Sequence, residues 1–262
     1  PGYWTFGTRY MVCMIGALRG SCGTDYGLYA SPGFAKSAYY TAYFETEMCS
    51  WNFHDGSRNR TETDFLLWFA RASHDPDVAA LRLRPVERGI KPVSFFDVLF
   101  YDADNVNDAV ELPLDAYYSN VGAVTMRDTW EDKATFVGLC GGANSVAHGD
   151  LDIGNFVIDG DGCRFLDDLG SDNYSLPGYF VNSRWTYYRK RAEGQNTLVI
   201  GDVRQSVPDQ DPNAVGRFTR VESSDASAIA VVDMTAAYTA AQSGARGIFF
   251  KDDRQTVVVQ DE

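Results

Sequence analysis

Among 262 residues and only three histidines, one histidine falls in the run Ala147-His148-Gly149-Asp150-Leu151-Asp152-Ile153-Gly154-Asn155-Phe156. One imidazole and two carboxylates stand there at alternate positions. Such a group can exchange protons near neutral pH, or it can ligate a metal. The run leads into an apolar strand that ends near Asp167-Asp168-Leu169-Gly170. A strand with Gly-containing turns at both ends is the element that must hold these side chains in place.

Two further groups of residues have chemical potential. Arg184, Arg189, Lys190 and Arg191 are interleaved with Trp185, Tyr187 and Tyr188. Guanidinium groups bind carboxylate or sulfate through two parallel bonds, and aromatic rings stack on sugars or simply pack. The second group is the aromatic loop Ser31 to Ser57, which carries His54 and Asp55. Connections this long in a compact domain are usually functional. Asn144 stands in the Gly-rich turn before His148, either at a site or as a turn residue, and His74 reads as a helix-end residue.

The net charge of −13 argues against a nucleic-acid or anionic-membrane surface. An anionic partner would need the local basic patch. No apolar run is long enough to span a bilayer. The five cysteines, Cys13, Cys22, Cys49, Cys140 and Cys163, form no CxxC pair, which argues against a zinc ribbon or a redox motif. Oligomeric state leaves no mark in the sequence.

The texture divides the chain into residues 1–112 and 113–262. The first part reads as helical. Its signals are Arg9 to Arg19 before Gly20, a capping-box pattern at Thr61-Glu62-Thr63-Asp64 before Phe65 to Ala70, and a start at Pro92-Val93-Ser94. The second part reads as short strands: 122–130, 134–140, 155–159, 163–167, 197–200, 217–221, 228–232, 247–251 and 256–260. Asp159-Gly160-Asp161-Gly162 is a hairpin signal. This spacing of strands predicts an antiparallel β-sandwich.

Helices followed by such a sandwich, with His-x-Asp-x-Asp-x-Gly-x-Phe at the junction strand, resemble the heparinase II/III-like polysaccharide lyases. The resemblance is carried by Gly2 to Tyr10, His148 to Phe156, Asp168-Leu169-Gly170 with Asp172-Asn173-Tyr174 and Leu176 to Phe180, and Arg184-Trp185 through Glu193 to Leu198. It implies an α+β multidomain fold, with the last helices of an incomplete α/α toroid in 1–112 and the sandwich in 113–262, cut from a longer protein at both ends. It also implies β-elimination at a uronic acid within an acidic polysaccharide, and a periplasmic or secreted location.

That reaction needs a base for the C5 proton, an acid for the leaving oxygen and neutralisation of the carboxylate. His148 is the expected base or neutralising group. Tyr10 is the expected acid, with Tyr3 as the competing phenol. Arg184, Arg189, Trp185, Tyr188, His54 and Asn144 are the expected substrate contacts. The resemblance also implies zinc in the sandwich, at positions occupied here by Asp150, Asp168 and Gln195. Two histidines of that pattern are thus replaced by Asp and Gln. An all-oxygen set suits calcium or magnesium better than zinc. A set without metal, with Gln195 hydrogen-bonded to the carboxylates, is the third possibility. Asp152 would orient His148 or cap a turn. Two other functions stay open: a non-catalytic glycan-binding remnant of the same fold, and a glycoside hydrolase using two of Asp150, Asp152 and Asp168.

Overall fold

The hairpin signal at Asp159-Gly160-Asp161-Gly162 closes β5 (Phe156–Gly160) onto β6 (Cys163–Leu166), with Gly160 opposite Cys163. Asp161 and Gly162 both take positive φ, 46° and 73°, as a two-residue turn between twisted strands requires. The structure is a computed structural model, which describes residues 2–181, 183–201 and 209–262. These residues divide into a helical unit, Pro1–Glu45 with Arg60–Leu112, and a sheet unit, Thr46–Asn59 with Pro113–Glu262.

The sheet unit is a sandwich of two antiparallel five-stranded sheets. One contains β1 (Ala116–Tyr118), β2 (Ala123–Arg127) and β3 (Phe136–Cys140), followed by β5 and β6 in that order. The other runs β10 (Thr256–Asp261), β9 (Ala245–Lys251), β8 (Ala228–Asp233), β7 (Val215–Ser223) and β4 (Gly142–Ala143). Val124, Met126, Val137, Leu139 and Phe156 of the first sheet share one core with Ala228, Ala230, Val232, Ile248 and Phe250 of the second. Every residue of β2 and β3 is buried, so the first sheet is covered on its outer face too. Trp51, fully buried, is part of that cover. A Cβ at Gly138 would come within 2.4 Å of the Trp51 ring, so β3 needs glycine there.

Most of the expected strands form, with two differences. Thr197 to Ile200 is not a strand. Its polar groups are tied by side chains instead: Thr197 donates to the Ile153 carbonyl at 2.7 Å, and the Leu198 carbonyl accepts from Tyr238 at 2.6 Å. β1 and β4, three and two residues long, are too short to show in the sequence pattern.

The helical unit contains α1 (Gly2–Cys22), α2 (Tyr40–Phe44), α3 (Leu66–Ser73), α4 (Pro76–Glu87) and α5 (Phe95–Phe100). Val12, Ile15, Phe65 to Ala70, Val78 and Ala79 form its core. The pattern at Thr61 to Asp64 makes no capping box; α3 begins at Leu66 without a side-chain cap, and Asp64 pairs with Arg9 at 2.7 Å. The capping box forms at Ser94 and Asp97 instead, so α5 starts after Ser94 rather than at Pro92. Arg82 on α4 grips the Asp97 carboxylate at 2.6 and 2.8 Å in the interior. His74 is the left-handed C-cap of α3. All five cysteines are free thiols. Among the described residues no helix is long and apolar enough to cross a membrane.

Candidate functional site

Within the sheet unit, the turn before β5, the turn after β6 and the segment Thr46–Asn59 bring two histidines and four aspartates together. His148 occupies the left-handed region, with φ 63°, which histidine tolerates better than most residues. The Asp55 amide donates to the His148 carbonyl at 3.3 Å, and Arg184 braces the same turn by donating to the carbonyls of Val146 and Gly149. The His148 side chain is about one-third exposed, and its Nδ1 lies 2.8 Å from Asp55 Oδ2. The same oxygen accepts from the Tyr174 hydroxyl at 2.9 Å, and that hydroxyl is 3.4 Å from His148 Nδ1. Tyr174 and Phe180 flank the imidazole, with ring centroids 5.8 and 5.4 Å away. A carboxylate accepting from Nδ1–H leaves the lone pair of the neutral ring on Nε2, the nitrogen able to take a proton.

Beneath this exposed group lies a buried one. Asp150, Asp152 and Asp168 are each no more than 1% exposed. Lys190, equally buried, places its ammonium 2.6 Å from Asp150 Oδ1 and 3.5 Å from Asp55 Oδ2, and so joins the two groups. Burial pushes the Asp150 carboxyl up to about 7, helped by Asp152 and opposed by Lys190. Burial pushes Lys190 down, but Asp150 outweighs it and holds the ammonium above its ordinary value. The two partners thus pull in opposite senses. The ion pair is the dominant form, because the same ammonium is also close to a second carboxylate and to the Gly149 carbonyl at 3.5 Å.

Asn155 organises the rest, donating to Asp168 Oδ2 at 2.7 Å and to Gln195 Oε1 at 2.9 Å. Gln195 Nε2 donates to the Arg189 carbonyl at 2.7 Å and to Asp150 Oδ2 at 3.4 Å. Asp168 Oδ1 accepts from the Gly170 amide at 2.6 Å, and the Asp168 carbonyl accepts from Asn52 at 2.8 Å. That turn lies so close to the 46–59 segment that a Cβ at Gly170 would come within 2.7 Å of the Gly56 carbonyl oxygen. Burial, Asp152 and Asp150 push Asp168 well above the usual carboxylate range, against the pull of the Gly170 amide.

Asp150, Asp168 and Gln195 are thus neighbours, but they do not fit a divalent metal in this arrangement. Their oxygens face an ammonium, an amide and a backbone N–H, all of them donors that exclude a cation from the same lone pairs. The positive charge that zinc would supply is supplied at Asp150 by Lys190.

Several sequence expectations change here. Asp152 bonds His54, not His148: Oδ2 is 2.8 Å from His54 Nδ1. Asn144 is fully buried and donates to the Asp211 carbonyl at 2.9 Å, so it points inward. The basic patch 184–191 also turns largely inward. Lys190 and Arg191 are buried, and Arg189 donates to the carbonyls of Leu169 and Ser171 at 2.7 and 3.0 Å. The carbonyls of the turns at 146–149 and 169–171 lie outside regular structure, and the guanidiniums of Arg184 and Arg189 serve them. Arg184 stacks on Trp185 at 4.3 Å, and Tyr188 stays 61% exposed. Tyr3 and Tyr10 lie on α1 of the helical unit, 81% and 62% exposed, with Tyr10 against Phe6. Asp55, Lys190 and Asn155 are the organising residues that sequence reasoning underrated.

The family described as heparinase II/III-like, C-terminal, matches residues 115–262. The chain belongs to the heparinase II/III-like family. No curated protein matches it. Among solved structures, the heparan sulfate lyase HepC from Pedobacter heparinus is 17% identical, with a TM-score of 0.55 over 97% of this chain and 37% of that one. A heparinase III gene product is 13% identical (TM-score 0.59, 100% and 37%), and a crystal structure of heparinase III is 16% identical (TM-score 0.58, 97% and 38%). At this identity the likeness is one of fold: a helical domain followed by an antiparallel β-sandwich, as expected from the sequence. The chain spans little more than a third of the length of these heparinase structures.

Proposed function

We propose that this chain carries the base-bearing part of a polysaccharide lyase that cleaves uronate-containing glycans by β-elimination. The observation behind this reading is the His148–Asp55–Tyr174 arrangement, a partly exposed imidazole whose orientation is fixed by a buried carboxylate and which lies beside a phenol. His148 Nε2 takes the C5 proton of the uronate. The electrons move into the bond between C5 and C4, the C4–O bond breaks, and a phenol returns a proton to the leaving oxygen. Two phenols compete for that last role. Tyr174 is supported by its contact with the imidazole, whereas Tyr10 is the phenol implied by the family resemblance. Arg184 and Arg189 act on the site by holding its turns. Trp185 and Tyr188 are the remaining candidates for sugar stacking. A polymer does not cross a membrane intact, so a periplasmic or secreted setting accompanies this reading.

The hydrolase alternative loses support, because Asp150, Asp152 and Asp168 are buried away from any sugar. The test is near-ultraviolet absorbance of the native-length protein with heparin, heparan sulfate, hyaluronan, chondroitin sulfate or alginate. An unsaturated uronate product absorbs there. A rise with at least one polymer is expected. No rise with any, alongside measurable glycan binding, would replace the lyase by a glycan-binding remnant.

A further inference from the structure

The buried cluster contains a second set of donors that the hydrogen-bond network does not close. Cys140, at the end of β3, His54 and Asp152 present Sγ, a ring nitrogen and a carboxylate oxygen all within 4.8 Å of one another. Each comes from a different element: a strand, the 46–59 segment and the turn before β5. His54 Nδ1 is 2.8 Å from Asp152 Oδ2, and Cys140 Sγ is 3.8 Å from the same oxygen. Around a tetrahedral zinc ion, with bonds of about 2.0–2.3 Å, these separations would be about 3.3 and 3.5 Å. These two separations would change by about half an ångström or less, and the third, at most 4.8 Å here, would be about 3.5 Å.

The charge balance favours a cation at this place. Asp152 is 1% exposed, and its Oδ1 has no hydrogen-bond partner among the described residues. Lys190 is engaged by Asp150 and Asp55.

The geometry points to a divalent metal of the zinc class held by His54, Cys140 and Asp152, beside the family-implied trio Asp150, Asp168 and Gln195 rather than on it. Thiolate and imidazole select zinc-like ions over calcium and magnesium. Binding displaces the thiol proton and any imidazolium proton, leaving a thiolate, a neutral imidazole and a carboxylate on the ion with a fourth position for water. The ion would tie the 46–59 segment to the first sheet next to Asp55, the residue that orients His148. Such a site stands apart from the reaction proposed above, because its readout is spectroscopic.

The test is cobalt(II) titration of the reduced full chain, freed of metal beforehand. One equivalent should bind with a thiolate-to-cobalt charge-transfer band and be displaced by zinc. The band should vanish in Cys140→Ser and persist in Gln195→Ala. His54→Gln, on a loop, should weaken binding at least about tenfold. X-ray absorption of the zinc-loaded unaltered chain should show one sulfur at about 2.3 Å, a readout that needs no variant to fold. No binding, binding without sulfur, or a band that survives Cys140→Ser would overturn the assignment.

Discussion

Two groups of titratable side chains lie a few ångströms apart in the sheet unit and meet opposite fates. In the outer group, Asp55 holds His148 and Tyr174 at a partly exposed surface. In the inner group, Asp150, Asp168, Gln195 and Asn155 satisfy one another in the dark, with Lys190 as their cation. Lys190 joins them, as it touches Asp55 as well as Asp150. The difference shows that a carboxylate's role here follows from its access to water and from its partner, not from its place in the motif. Asp150 and Asp152 stand two and four residues after His148 and are both enclosed. Asp55, 93 residues away in sequence, is the one that reaches it.

Substitutions can break this contrast. The largest effect is expected for His148→Ala, with turnover by the native-length protein falling about 10²- to 10⁴-fold while unfolding free energy changes by less than about 1 kcal/mol. Equal losses of activity and stability would place His148 with the inner group. Next, Lys190→Met should destabilise by about 3 kcal/mol in chemical denaturation, because it leaves Asp150 buried without its cation. The double variant Lys190→Met with Asp150→Leu should recover much of that loss. If it recovers none, Asp55 is the partner that matters.

Asp55→Asn and Tyr174→Phe sharpen the outer group. Each should lower kcat/KM by about 10²-fold with little change in stability. Tyr10→Phe, tested beside them, decides which phenol is the acid. The smallest effect concerns pH. Asp168 is held neutral well above its unfolded range, so the folded state binds a proton that the unfolded state has lost. With the protein free of metal, stability is therefore full below the ordinary carboxylate range and falls as pH rises through the raised folded value. The slope is at most about 1.4 kcal/mol per pH unit, and Asp168→Asn should flatten it. A slope of the opposite sign would mean that Asp168 is ionised at neutral pH.

Local chemistry made much of the sandwich legible in advance. The Asp159–Gly162 turn and the alternation in β7 to β9 need only neighbouring residues to be read. Thr197 to Ile200 misled because apolar alternation there serves burial, while Tyr238 and Ile153 complete its polar bonds from far along the chain. His148 drew attention because its motif is contiguous, although its partner Asp55 lies far along the chain. Lys190 was not, since a basic run looks the same whether it faces solvent or an inner carboxylate. The inward turn of Arg184 and Arg189 was hidden for a related reason: backbone carbonyls leave no trace in a sequence.

The assignment of Thr46–Asn59 to the sheet unit also bears on how the chain is made. Asn52 leaves the ribosome 116 residues ahead of Asp168, whose carbonyl it must reach. At about 5–20 residues per second, that interval is on the order of 10 s. Throughout it, Trp51 has no strand to rest on, because β3 follows more than eighty residues later. The nascent chain therefore carries an indole and the future orienting carboxylate, Asp55, as an unmoored loop. That makes this stretch the place where a chaperone, or a premature contact, would act first.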